Sequence, residues 1–156
     1  MKKAIFTFSF IIAAFLFSNN AFSQELKWYG FDEGYTKAIS ENKVMVINIY
    51  TDWNGWCKKM DKDTYSQKSV IDLINKDFIA IKLNPELDGE YTYNKKKYNG
   101  QKLVSVLTDN KLSGYPTTCF HFPKAKKTHM EVGYKGKDDM SSLLVKYAKM
   151  NLKVKK

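Results

Sequence analysis

The stretch that decides the fold is Tyr50-Thr51-Asp52-Trp53-Asn54-Gly55-Trp56-Cys57-Lys58-Lys59-Met60-Asp61. It follows Val44-Met45-Val46-Ile47-Asn48-Ile49-Tyr50, a nearly continuous run of β-branched and apolar residues. Such a run marks a central strand buried on both faces. The segment after it is a loop with two Trp, then a helix running through about Tyr65. Asn54 stands where that helix begins. Asn is among the best N-caps, because its side-chain oxygen accepts a backbone N–H of the first turn.

Working outward, Leu26-Lys27-Trp28-Tyr29 reads as a short first strand, and Asp32 as the N-cap of a helix with Tyr35, Ala38 and Ile39 on one face. Val70, Ile71 and Ile74 give a second amphipathic helix, and Phe78–Leu83 a second buried strand. The segment 84–99 is polar, rich in Lys and Tyr, and long for a connection. Leu103, Val104 and Leu107 predict a helix. Thr117–Phe122 and Thr128–Tyr134 predict a hairpin across a Pro123–Lys127 turn. Met140, Leu143, Leu144 and Tyr147 form the stripe of a closing helix. The order β-α-β-α-(α)-β-α-β-β-α implies an α/β fold, with a mixed central sheet and helices on both faces.

Composition narrows the function. The chain has 156 residues, enough for one domain with or without a targeting segment. Hydrophobic residues are 44%, enough for a core and against disorder. Two Cys exclude a disulfide-built mini-fold. The net charge of +10 suggests a nucleic-acid or anionic-surface binder. Against this, all the cations are Lys, and Arg, the rigid bidentate phosphate reader, is absent. No nucleic-acid partner is expected. A Lys-rich binder of an anionic surface stays as a rival, supported by Lys153-Val154-Lys155-Lys156, which reads equally well as a solvated tail.

The N-terminus reads as a signal peptide over 1–23. Lys2 and Lys3 form the basic region, Ala4–Phe17 the apolar core, and Ala21-Phe22-Ser23 the cleavage site. The mature chain is then 24–156, a protein exported to the periplasm or outside the cell, with no membrane span left after cleavage.

The segment Trp53-Asn54-Gly55-Trp56-Cys57-Lys58-Lys59-Met60 resembles the active site of the thioredoxin superfamily. It is most similar to the exported thioredoxin-like branch, whose members usually read Trp-Cys-Gly-Trp-Cys-Lys-Lys-Met. Gly114-Tyr115-Pro116-Thr117 resembles that family's cis-proline motif. The likeness covers about Trp28 to Met150, with an insertion at about 84–99. It implies a thioredoxin fold and a helix-N-terminal thiolate that attacks a disulfide, with a second Cys resolving the mixed disulfide. It also implies a proline loop whose backbone edge pairs with extended polypeptide. No cofactor is implied.

The chain departs from that pattern twice. Asn54 occupies the nucleophile's position, leaving Cys57 in the resolving one. Asn48 occupies the strand position that usually holds a buried carboxylate. With both changed, the dithiol cycle cannot run inside this site. Two readings of the remnant stand. One is a retired site, with Asn54 as a structural cap and a surface of Trp53, Gly55, Trp56, Tyr115, Pro116 and Thr117 engaging polypeptide or a partner protein. The other is a monothiol exchanger using Cys57, its thiol acidified by the first helical turn but shielded.

Strand alternation puts Thr118, Phe120 and Phe122 on one face and Thr117, Cys119 and His121 on the other. The resemblance turns the first face toward the active-site helix, so Cys119 is expected to point away as a core thiol. Cys57, Cys119, His121 and His129 match no closed metal-ligand spacing, and no metal is expected. His121 reads as a strand residue and His129 as a turn-flanking one. Trp53 is expected to pack against the sheet, and Trp56 either to pack or to form an aromatic rim. Tyr91, Tyr93 and Tyr98 either border the Asn54 edge or belong to a solvated insertion.

Overall fold

A computed structural model describes residues 25–154. The expected signal segment lies outside the described residues. The elements are α1 (Phe31–Glu41), β1 (Val44–Ile49), α2 (Gly55–Met60), a π-helical turn (Asp61–Tyr65), α3 (Lys68–Asp77), β2 (Phe78–Leu83), β3 (Tyr91–Tyr93), β4 (Lys96–Tyr98), α4 (Gly100–Leu107), β5 (Thr117–Phe122), β6 (Lys127–Val132) and α5 (Lys137–Val154). The main sheet runs β2-β1-β5-β6. β1 and β2 are parallel, from Val44 opposite Phe78 to Ile49 opposite Leu83. β5 is antiparallel to both β1 and β6. This is the mixed sheet of a thioredoxin fold.

The sheet divides two apolar layers. Val44, Val46, Phe78, Ala80, Phe120 and Phe122 meet Met60, Tyr65, Ile74, Met140, Leu144 and Tyr147, so α2, α3 and α5 cover one face. Met45, Ile47, Ile49, Ile81 and Cys119 meet Phe31, Ala38, Leu103 and Leu107, so α1 and α4 cover the other. All six β1 residues are buried, which explains why that strand reads as a continuous apolar run. Burying one such side chain contributes roughly 1.5–3 kcal/mol. α1 lies close on β2: a Cβ on Gly34 would come 2.6 Å from the Ile81 side chain.

Four local expectations are corrected. Leu26–Tyr29 forms a single parallel bridge, Tyr29 to Ile81, because Gly30 already caps α1. Asp32 is not the N-cap. It sits in the first turn, and its Oδ1 accepts the Thr92 backbone N–H at 2.9 Å. His129 lies inside β6, opposite Phe120. The 84–99 segment is not simply solvated, since it folds into the β3–β4 hairpin. Tyr93 of that hairpin is buried, with its ring 5.3 Å from Tyr35 and 6.2 Å from Phe31. Tyr35 Oη also donates to Asn94 Oδ1 at 3.1 Å. The tyrosines therefore fasten the insertion onto α1. Among the described residues, no helix is long and apolar enough to cross a membrane.

Candidate functional site

β1 ends at Ile49, where the Tyr50 N–H donates to Leu83 O at 3.1 Å. The chain turns through Asp52 and Trp53 and enters α2 at Asn54, whose backbone is extended (φ −83°, ψ 113°). Asn54 uses both ends of its side chain. Oδ1 accepts the Trp56 N–H at 2.9 Å, the expected cap. Nδ2 donates to the carbonyl of Tyr115 at 3.1 Å, across to the proline loop. Ser or Asp would cap equally well and make no such bridge, since neither offers an amide N–H. Asn54 thus joins α2 to the Tyr115–Pro116 segment.

The Tyr115–Pro116 peptide bond is cis. Pro116 O accepts the Gly133 N–H at 2.8 Å, and Thr117 Oγ1 donates to Gly114 O at 2.7 Å. The carbonyls of Tyr115 and Pro116 therefore both hold internal partners. This weakens the expectation of a loop edge free to pair with polypeptide.

Cys57 lies on the first turn of α2 and is 2% exposed. Its thiol is not acidified as expected. Burial pushes its pKa up. A hydrogen bond from the Thr51 backbone acts against this, the Asp61 carboxylate adds to the rise, and the Lys82 ammonium opposes it. The cost of removing a thiolate from water outweighs the helix-terminus effect here.

Asn48 is fully buried in β1. Its Nδ2 lies 3.4 Å from Asp61 Oδ1, and its Oδ1 has no hydrogen-bond partner among the described residues. Asp61 Oδ2 is 2.7 Å from Lys82 Nζ. A carboxylate is present near the site after all. It stands on the helix, four residues after Cys57 and so on the same helical face, instead of on the strand.

Trp53 does not pack into the sheet as expected. It is 68% exposed, held upright by Glu86, whose two oxygens accept its indole N–H at 2.9 and 3.2 Å. Its ring meets Tyr115 edge-on at 6.3 Å. Trp56 is 58% exposed and 5.5 Å from Tyr134. Gly55 separates the two flanks. Asn54, Trp53, Trp56, Tyr115 and Pro116 thus converge on one face, with Thr117 buried beneath it.

Cys119 occupies the opposite layer, paired with Ile47 in the sheet. Burial pushes its thiol up to about 12. Both cysteines are free thiols, and Cys57 stands on α2, whose Met60 packs in the layer opposite that of Cys119. His121, in the same layer as Cys119, bonds Thr128 Oγ1 through Nδ1 at 2.9 Å, while Nε2 has no partner among the described residues. Burial lowers its pKa to about 4. Among the described residues, no group of three or more His, Cys, Asp or Glu converges to hold a metal.

Sequence reasoning missed Glu86, Asp61, Lys82 and Tyr134. The Asp61 contact had a signal in its four-residue spacing from Cys57, and Lys82 in being the one polar residue of β2. Glu86 and Tyr134 had none, because their partners are remote in the chain.

Comparison with known proteins extends the picture. The solved structure of the DsbH oxidoreductase superposes with a TM-score of 0.61 at 17% identity, covering 81% of this chain and 86% of that one. A putative disulphide-isomerase from Bacteroides thetaiotaomicron gives 0.59 at 21% identity, covering 80% and 93%. These likenesses concern the fold. The uncharacterized protein B0495.5 of Caenorhabditis elegans is 23% identical over 103 residues, 63% of this chain but only 13% of that protein. A family model matches residues 13–154, nearly the whole chain, under the description "Protein of unknown function, DUF255". The chain belongs to this Thioredox_DsbH family.

Proposed function

We propose that this protein is an exported thioredoxin-fold relative of the thiol–disulfide oxidoreductases that has given up the dithiol cycle. Residues 24–156 are its mature form. It engages extended polypeptide, or a partner protein, on the face of Trp53, Trp56, Tyr115 and Pro116. The observation that carries this reading is Asn54. Its oxygen caps α2 and its nitrogen holds Tyr115 O, so the position is committed to structure. Two exposed, braced indoles supply rigid amphipathic contact area at low entropic cost. Because the carbonyls of Tyr115 and Pro116 hold internal partners, side chains carry more of the recognition than ladder hydrogen bonds.

A second reading, monothiol exchange, draws on the Thr51 hydrogen bond and the Lys82 charge, which both favour a thiolate at Cys57. The Cys57 sulfur would attack a substrate disulfide, forming a mixed disulfide and expelling the other sulfur as a thiolate. An outside thiol would then resolve the product.

Thiol titration of the folded mature protein, with turnover of a model disulfide and binding of an unfolded reduced polypeptide, separates the two. The expected result is slow Cys57 modification, no turnover, and binding that W53A and W56A each weaken roughly tenfold. Rapid modification with trapped mixed disulfides overturns this reading in favour of the second.

A further inference from the structure

Beside Tyr115, on the Trp53 side of the site, lies a cleft of about 200 Å³. Pro85 and Tyr115 form two walls. Gln101, Val104 and Ser105 of α4, with its C-cap Thr108, form the third, and Asn110 and Leu112 also line it. No charged side chain lines it. That is unusual on this protein. The cleft beside Trp28 is lined by Glu25, Asp61 and Lys82, and the one beside Met130 by Asp109, Lys111, Lys126 and Lys127.

The cleft is built into the aromatic face. Pro85 is flanked by Asn84, whose Nδ2 donates to Asp52 Oδ2 at 3.1 Å, and by Glu86, which holds the Trp53 indole. Both neighbours of that wall are therefore bonded to the loop carrying Trp53. The Tyr115 wall is held through its carbonyl by Asn54, and its ring meets Trp53. The α4 wall is fixed by close approach, since a Cβ on Gly100 would sit 2.9 Å from the Pro85 carbonyl oxygen. Glu86, the acid next to the cleft in sequence, has its carboxylate tied to the indole. The cleft is thus a neutral, half-apolar recess continuous with the Trp53–Tyr115 surface.

We propose that this recess is a side-chain pocket for the polypeptide bound on the Trp face, and that it selects one bulky uncharged side chain flanking the bound segment. The inference rests on the polypeptide-binding reading above. An apolar side chain gains by leaving water here, and a Gln, Ser and Thr rim accommodates a neutral polar tip. A Lys or Asp entering the recess would be desolvated with no countercharge among the residues that line it.

The probes are ten-residue peptides sharing a Val-Tyr-Val centre, with a single Leu, Phe, Asp or Lys placed three to five residues to either side. Binding is read by tryptophan fluorescence and calorimetry. On one side only, Leu and Phe are expected to bind roughly tenfold tighter than Asp or Lys. S105E and the more exposed Q101E should each shift that preference toward Lys, with near-unchanged circular dichroism. If the peptides bind and W53A weakens them, yet Leu, Asp and Lys bind alike and neither charge variant alters the order, the pocket is overturned while the Trp face stands. If no peptide binds the wild-type protein, both readings fall.

Discussion

Cys57 and Cys119 are both almost fully buried, and they lie in opposite layers of one sheet. Cys119 is surrounded by apolar side chains, and burial is the whole cause of its raised pKa. Cys57 is buried beside an ion pair. There, burial is opposed by the Thr51 hydrogen bond and Lys82 and reinforced by Asp61. The thiol is held up by burial alone at Cys119 and by a balance of opposing influences at Cys57. A balance can be tipped by substitution, whereas simple burial cannot be tipped without breaking the core. Around Asn54, donors and acceptors are joined across elements. Each layer nonetheless holds a buried polar atom with no partner among the described residues, Asn48 Oδ1 near the Cys57 site and His121 Nε2 beside Cys119.

The largest expected effect breaks the comparison from the Cys57 side. N54C restores a thiol one turn from Cys57 and should raise reduction of a model disulfide by about 100-fold or more over wild type. Adding C57A should abolish that gain, and adding C119A should leave it. A well-folded N54C protein with no turnover would mean that the helix start does not hold the two sulfurs in exchange geometry.

The next effect comes from the other layer. His121 is neutral in the fold, with its pKa depressed to about 4 from an ordinary 6.5. Between those values the unfolded chain binds the proton and the folded chain does not. Its contribution to stability is therefore full above about pH 6.5 and is lost as pH falls toward 4, amounting to about 3 kcal/mol. His129, held down by burial and then by Lys127 and Lys146, adds a smaller slope of the same sign. Denaturant melts at a series of pH values should show H121Q flattening this slope. An unchanged slope would remove His121 as its source.

The smallest effect sharpens what Asn54 does. N54S keeps the cap and loses the bond to Tyr115, so it should cost about 1 kcal/mol. N54A loses both and should cost about 2 kcal/mol. No loss for N54S in chemical denaturation would show that the bridge contributes nothing, and equal losses for the two variants would show that the cap contributes nothing.

How much was legible in the sequence follows the range of each interaction. β1, β2, α4 and the hairpin of β5 and β6 were read closely, because each is set by local periodicity. Asn54 as a cap was legible for the same reason, since its acceptor role reaches only to Trp56. Its donor role was not, because Tyr115 lies 61 residues away. Trp53 was misread because the partner that keeps it outside, Glu86, is 33 residues distant. Asp32 was misread because its partner, the Thr92 N–H, belongs to an insertion whose fold was open. The face assigned to Cys119 was right because strand alternation and the family resemblance pointed the same way.

Both Asn-Gly pairs that cap helices flank the candidate site: Asn54-Gly55 opens α2, and Asn99-Gly100 opens α4, where Asn99 Oδ1 accepts the Lys102 N–H at 2.9 Å. Asn before Gly is the pair in which the next backbone nitrogen most readily attacks the side-chain carbonyl carbon and expels ammonia, closing a succinimide that water then opens to leave a carboxylate. At Asn99 such ageing would keep an oxygen in place as the cap, and α4 would hold. At Asn54 it would turn a donor toward Tyr115 O into a second acceptor, two oxygens facing each other. The chemical age of the molecule would then be recorded at the Tyr115–Pro116 loop before it showed anywhere in the helices.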